Sequence, residues 1–256
     1  MRLKNKVAVI TGAANGIGLA ISEAFVKEGA IIIAGDVDEK KCKAEAERLG
    51  KNGAIVLAIK CDVGSTKDVD HLINSAINEF SKIDILVNNA AIAIGGNIME
   101  MPEADWDMLM NTNLKSIYRT IKTTLPHMIK QGSGSVINIA STQAFRSWNN
   151  WTAYAGAKGA ILSMTNQLAG QFGKYNVRFN SISPGAILTP MNEKRAREEG
   201  PEFLIKSAAM HAMKRMGTPQ EVAMTAVFLA SDEATFVTGE DIKVDGGLCT
   251  LPRYIE

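Results

Sequence analysis

Apolar, β-branched runs of strand length recur along the chain at 7–10, 31–34, 55–59, 83–87, 136–139, 177–182 and 241–244. Between them lie longer segments with apolar residues at helical spacing, among them 19–28, 40–50, 68–80, 106–129 and 152–172. Strands that are almost wholly apolar are covered on both faces, and their alternation with helices implies parallel strands joined by crossovers. The pattern predicts a single α/β domain over 1–256, a Rossmann-type doubly wound parallel sheet of about seven strands with helices on both faces. One long stretch, 184–219, has no strand pattern and is charged and methionine-containing. It reads as two short inserted helices, a substrate lid over about 188–217.

The first strand runs into TGAANGIG, residues 11–18, and a helix follows at once. Glycines at 12, 16 and 18 allow a tight turn, a close backbone approach to a ligand and close helix packing, while the helix N-terminus offers unpaired N–H groups to a pyrophosphate. The second strand pattern ends in Asp36. A carboxylate there accepts hydrogen bonds from the ribose hydroxyls of adenosine and repels a 2′-phosphate, so NAD is expected over NADP. Asn15, where a basic residue would help hold a 2′-phosphate, points the same way.

With these motifs stand DV at 62–63, NNAA at 88–91, Asn113, Ser141, YAGAK at 154–158 and PGAILT at 184–189, in order and over essentially the whole chain. In this set the sequence resembles the short-chain dehydrogenase/reductase family, departing from its usual pattern in having Ala91 where glycine is common. The resemblance implies that Gly12, Asn15, Gly16, Ile17 and Gly18 hold the cofactor pyrophosphate side. It implies further that Asp62 and Val63 hold the adenine, Asn89 and Ala90 line the ribose, Ile187 and Thr189 bind the nicotinamide amide, and Pro184 and Gly185 shape the turn beneath it. It also implies a homotetramer, and a water held by Asn113 that relays protons from Lys158.

Helical spacing puts Tyr154 and Lys158 on one helix face, one turn apart, and Ser141 follows the C-terminal end of a strand, where open α/β sheets bind ligands. Taking a hydride from an alcohol needs a base for the hydroxyl proton, and a phenol with an ordinary pKa of about 10 is too weak a base at neutrality. The Lys158 ammonium and a positive nicotinamide are expected to lower it by roughly two to three units, about 3 to 4 kcal/mol. Tyr154 is then general base in oxidation and general acid in reduction, Lys158 its modulator and a ligand of the nicotinamide ribose, and Ser141 the group that orients the substrate oxygen. Gln143, Arg146, Trp148, Asn149 and Trp151 lie between Ser141 and Tyr154 and are candidate substrate contacts. Aromatic faces with amide and guanidinium donors suit a sugar or polyol, and Arg146 suits an anionic group.

Composition removes several other classes. The 256 residues are 46% hydrophobic and 21% charged with a formal net charge of +1, and the charges are interspersed. No field that gathers nucleic acid or anionic lipid follows, and a small-molecule partner is expected. Three separated cysteines, 42, 61 and 249, make neither a disulfide framework nor a zinc spacing, and a reducing, cytoplasmic setting fits. The three histidines, 71, 127 and 211, make no metal spacing and are expected at the surface or partly packed; the run at 193–199 reads as a solvated helix face. The N-terminal apolar run is shorter than a signal peptide's hydrophobic region, and no stretch approaches the roughly 20 apolar residues of a membrane span. The leading expectation is an NAD-dependent enzyme acting on the CH–OH group of a secondary alcohol. Its alternatives are an NADPH-dependent 3-oxoacyl-carrier-protein reductase and a dinucleotide-sensing protein without turnover.

Overall fold

β1 (Val7–Thr11) is apolar throughout because both of its faces are covered: Ala8 and Ile10 enter one core, Val7 and Val9 the other. The computed structural model, which describes residues 1–200 and 202–250, places β1 in the interior of a seven-stranded sheet. The other strands are β2 (Ile31–Asp36), β3 (Val56–Lys60), β4 (Ile85–Asn88), β5 (Gly134–Ile139), β6 (Val177–Pro184) and β7 (Asp241–Val244). All six pairings are parallel, in the order β3-β2-β1-β4-β5-β6-β7. Strand order reverses between β1 and β4, so a crevice opens beyond the C-terminal ends of these two strands. The doubly wound parallel sheet expected from the sequence is the observed architecture.

The helices are α1 (Gly16–Lys27), α2 (Glu39–Gly50), α3 (Thr66–Phe80), α4 (Glu103–Met110), α5 (Ser116–Gln131), α6 (Thr152–Phe172), α7 (Pro190–Glu199), α8 (Glu202–Ala209) and α9 (Pro219–Ala230). Ile21 and Phe25 of α1 and Val222 and Val227 of α9 pack on one face of the sheet; Leu72 and Ile73 of α3, Ile121 of α5 and Ile161 of α6 pack on the other. Two features go beyond the periodicity. The long helical segment around 106–129 is α4 and α5 joined by a π-helical turn, Asn111–Lys115. Helix α9 is so widely buried, through Ala223, Ala226, Leu229 and Ala230, that it shows no polar stripe. Its signature is instead a capping box, in which the backbone N–H of Thr218 donates to Glu221 Oε2 at 2.8 Å. Among the described residues no helix is long and apolar enough to cross a membrane.

A polar chain runs through the centre of the apolar sheet. Asn138, fully buried within β5, donates from Nδ2 to Thr165 Oγ1 of α6 at 2.9 Å and accepts from Asn88 Nδ2 of β4 at 2.8 Å; Asn88 Oδ1 accepts from Thr120 Oγ1 of α5 at 2.7 Å. Each buried group lacks water, so every lost partner leaves a costly orphan. Asn138→Leu is expected to lower the unfolding free energy by about 1–3 kcal/mol in urea titration, since it orphans Asn88 Nδ2 and leaves Thr165 Oγ1 with Ile161 O as its remaining partner. A loss below about 1 kcal/mol would mean that the chain of amides contributes little.

Candidate active site

The crevice at the strand ends is a cleft of 540 Å³ whose lining draws on distant parts of the sequence. Its floor is the turn after β1. Gly12 holds a left-handed φ of +65°, and a Cβ there would stand 2.9 Å from Ala90 Cα. At Gly18 a Cβ would meet Gly12 O at 2.1 Å, so only glycine lets α1 start this close to the turn. Asn89 locks the arrangement by donating from Nδ2 to the carbonyls of Thr11 and Gly12, both at 3.0 Å. The bare backbone of this turn, followed directly by a helix N-terminus, is the cradle that a dinucleotide's pyrophosphate requires.

At one end of the cleft stands Asp36, the last residue of β2. Its two carboxylate oxygens accept backbone N–H groups from Ala14 at 2.9 Å and Asp38 at 3.0 Å, which orients it while leaving lone pairs for a ribose. Asp62 and Val63 line the same end, as does Cys61, whose thiol burial pushes up to about 12. The sequence reading had no cation near Asn15. The fold supplies one: Lys41, from α2, donates from Nζ to Asn15 Oδ1 at 3.0 Å.

Ser141, Tyr154 and Lys158 line the other end. Ser141 caps a short turn beyond β5, its Oγ accepting from Gln143 N at 3.1 Å. Lys158, buried on α6, donates from Nζ to Ile139 O at 2.7 Å and lies 5.6 Å from the centre of the Tyr154 ring. Burial pushes the Tyr154 phenol up to about 12, a hydrogen bond with Ser141 acting more weakly the other way, and burial pulls the Lys158 ammonium down to about 8. This reverses the order expected for the phenol. Among the chain's own groups, removal from water outweighs the attraction between phenolate and ammonium.

Asn113 lies outside the cleft lining. It is buried in the π turn, and its amide forms a reciprocal pair with the backbone of Ile92, accepting from Ile92 N and donating to Ile92 O, each at 2.8 Å. Both side-chain groups therefore help hold the segment after NNAA against the π turn.

Ile17, Asn89, Ala90, Pro184, Gly185, Ile187 and Thr189 all line the cleft, with Ala91 and Thr189's neighbours Met191 and Asn192. Thr189, the N-cap of α7, comes close to the glycine turn: a Cβ on Gly16 would lie 3.5 Å from its Cγ2. His211, expected at the surface or partly packed, is 1% exposed. Its Nδ1 faces Ser207 O at 2.7 Å and its Nε2 accepts Ala186 N–H at 3.1 Å, which requires the neutral ring protonated on Nδ1 and ties the end of α8 to the segment after β6.

A second pocket of 590 Å³ adjoins Ser141 and Tyr154 and is closed by α7 and α8. Of the five candidate substrate contacts, Gln143, Trp148 and Trp151 line it and Arg146 and Asn149 do not. The Arg146 guanidinium instead donates to Leu248 O. The run at 193–199 is not wholly solvated either. Arg195 turns inward, over the rings of Trp151 at 4.8 Å and Phe203 at 4.6 Å, a contact that needs three segments brought together and leaves no trace in helical periodicity. Among the described residues no cluster of histidine, cysteine or carboxylate side chains is arranged to hold a metal.

Known proteins match this chain along its full extent. A family model described as enoyl-(acyl carrier protein) reductase matches residues 12–249. The 3-oxoacyl-[acyl-carrier-protein] reductase FabG of Thermotoga maritima is 38% identical over 255 residues, covering 97% of this chain and 99% of that protein. Among solved structures, levodione reductase superposes with a TM-score of 0.94 at 29% identity, covering 98% of this chain and 100% of that one. The ligand-free aldohexose dehydrogenase of Thermoplasma acidophilum gives 0.90 at 34% identity, with 99% and 98% covered. Because the likeness takes in α7, α8 and the last strand as well as the glycine turn, this chain belongs to the short-chain dehydrogenase/reductase family, oxidoreductases that use a nicotinamide cofactor.

Proposed function

We propose that the chain is an NAD-dependent oxidoreductase interconverting a secondary alcohol, such as that of a sugar or polyol, and its carbonyl. The observation that carries this reading is that Ser141, Tyr154 and Lys158 line the same cleft as the glycine turn and Asp36. Gly12, Asn15, Gly16, Ile17 and Gly18 would hold the pyrophosphate side, Asp36 the adenosine ribose, Asp62 and Val63 the adenine, and Pro184, Gly185, Ile187 and Thr189 the nicotinamide end. A bound nicotinamide cofactor would supply the hydride acceptor or donor and, when oxidised, a positive charge.

Tyr154 then carries the proton. At neutral pH its phenol is protonated, the form that donates to a carbonyl oxygen in reduction. Ser141 directs the substrate oxygen towards that proton. Lys158 is a buried cation against Ile139 O, placed to favour the phenolate that forms when Tyr154 gives its proton up. Asn113 positions the π turn through Ile92, which its amide grips at both N–H and C=O. Helices α7 and α8 form the lid over the second pocket. Exposed apolar side chains on the α4 and α5 face, such as Met108 and Tyr118, fit the subunit contacts of a homotetramer.

A second reading, an NADPH-dependent 3-oxoacyl-carrier-protein reductase, draws on the Lys41 ammonium beside Asn15 and on the 38% identical relative. Titration with NADH and NADPH, followed by nicotinamide fluorescence, separates the two. Tighter NADH binding is expected, with Asp36→Asn shifting the ratio about tenfold towards NADPH, equivalent to 1.4 kcal/mol. Tighter NADPH binding that Lys41→Ala abolishes would replace the first reading with the second.

A further inference from the structure

Resting on the proposed function, we infer that the second pocket selects an uncharged, hydroxylated ring as substrate, and that the Arg195–Glu199 pair excludes anions. The charged residues that line the pocket are Arg195 and Glu199 of α7 and Glu202 and Lys206 of α8. Each cation is already matched on its own helix. Arg195 donates to Glu199 Oε1 from Nε at 2.8 Å and Nη2 at 2.7 Å, and Lys206 lies 2.7 Å from Glu202 at the rim, where both side chains are about three-quarters exposed.

Arg195 is also unlike a free anion receptor in its shape. Its side chain is 27% exposed, and its guanidinium lies over the rings of Trp151 and Phe203 with Glu199 along its Nε–Nη2 edge. Stacking of this kind uses the flat faces of the cation and makes it part of the wall. An anion entering here meets the Glu199 carboxylate, which already offsets the arginine's charge along its Nε–Nη2 edge. Arg146, the other cation of this region, is turned away onto Leu248 O.

The polar group that remains uncommitted is neutral. The Gln143 side-chain oxygen is buried without a hydrogen-bond partner, on the same turn as Ser141. An amide offers both a donor and an acceptor, and the ligand group that answers either one is a hydroxyl. The indole of Trp148 suits the C–H face of a ring, while Trp151 carries Arg195 over its own ring. A neutral, hydroxyl-bearing ring without carboxylate or phosphate satisfies the wall, the amide and the charge balance together.

The test is oxidation, with the cofactor that binds, of matched rings that differ only in charge, such as glucose and glucuronate, alongside cyclic diols and a linear 3-hydroxyacyl thioester. The expected result is a kcat/KM at least tenfold higher for neutral rings, with Glu199→Gln narrowing that ratio at least threefold by improving the anionic member. Preference for the anion or the linear thioester, no turnover of any neutral ring, or an unchanged ratio in Glu199→Gln would overturn the inference. Failure to bind either NADH or NADPH would instead remove the oxidoreductase reading on which it rests.

Discussion

Tyr154→Phe is expected to reduce turnover by about 10²–10⁴-fold while leaving NADH affinity nearly unchanged. The substitution removes one oxygen from a ring packed edge-on against Trp151 at 5.6 Å, so the shape of the cleft is kept and the proton donor is lost. Single-turnover reduction and a fluorescence titration on the same preparation separate the two effects. Turnover equal to that of the unmodified chain would sink the assignment of Tyr154 as the acid and base.

Lys158→Met is expected to abolish turnover and, against ordinary experience with buried side chains, to reveal a stability cost that Lys158 imposes. The Lys158 amine falls from 10.5 to about 8 on folding, purely through burial. Between those values the unfolded chain binds more protons than the folded one, so stability from this group rises with pH across that window. Below about pH 8 the cost is fully present, about 3 kcal/mol at 1.36 kcal/mol per unit. Methionine removes it but also orphans Ile139 O, a loss of about 1–3 kcal/mol. The diagnostic is therefore the pH dependence of the difference. From pH 7 to 9.5 the stability of methionine variant relative to parent should fall by about 2 kcal/mol, roughly 4–8 °C in Tm. A difference in Tm that does not move with pH would show that Lys158 titrates normally in the folded chain. Tyr154 acts in the opposite sense but only between pH 10 and about 12, outside this window.

The cleft at 540 Å³ was legible in large part because its residues lie where chain direction and hydrogen bonding are locally specified. Glycines 12, 16 and 18 follow a strand and open a helix, Asp36 ends the next strand, and Tyr154 and Lys158 share a helix face; all of these line or back the cleft. Roles assigned by resemblance fared less evenly in geometry. Asp62, Val63, Ala90, Ile187 and Thr189 line it, Asn113 sits behind it on Ile92, and Asn89 directs its amide donors to the turn. What could not be read were contacts between elements far apart in sequence: Lys41 with Asn15, Arg195 over Trp151 and Phe203, His211 with Ala186, and Arg146 turned to Leu248.

By itself, then, the sequence determined the parallel sheet, its two-sided core and the order of the cofactor and proton-transfer groups along it. Those depend on hydrophobic period, on glycine's backbone freedom and on helical spacing, which are properties of short segments. Tertiary structure alone decided the ionisation of Tyr154 and Lys158 and the charge balance of the second pocket. Both follow from desolvation and from partners supplied by other elements, and neither quantity exists until the chain has closed around those groups.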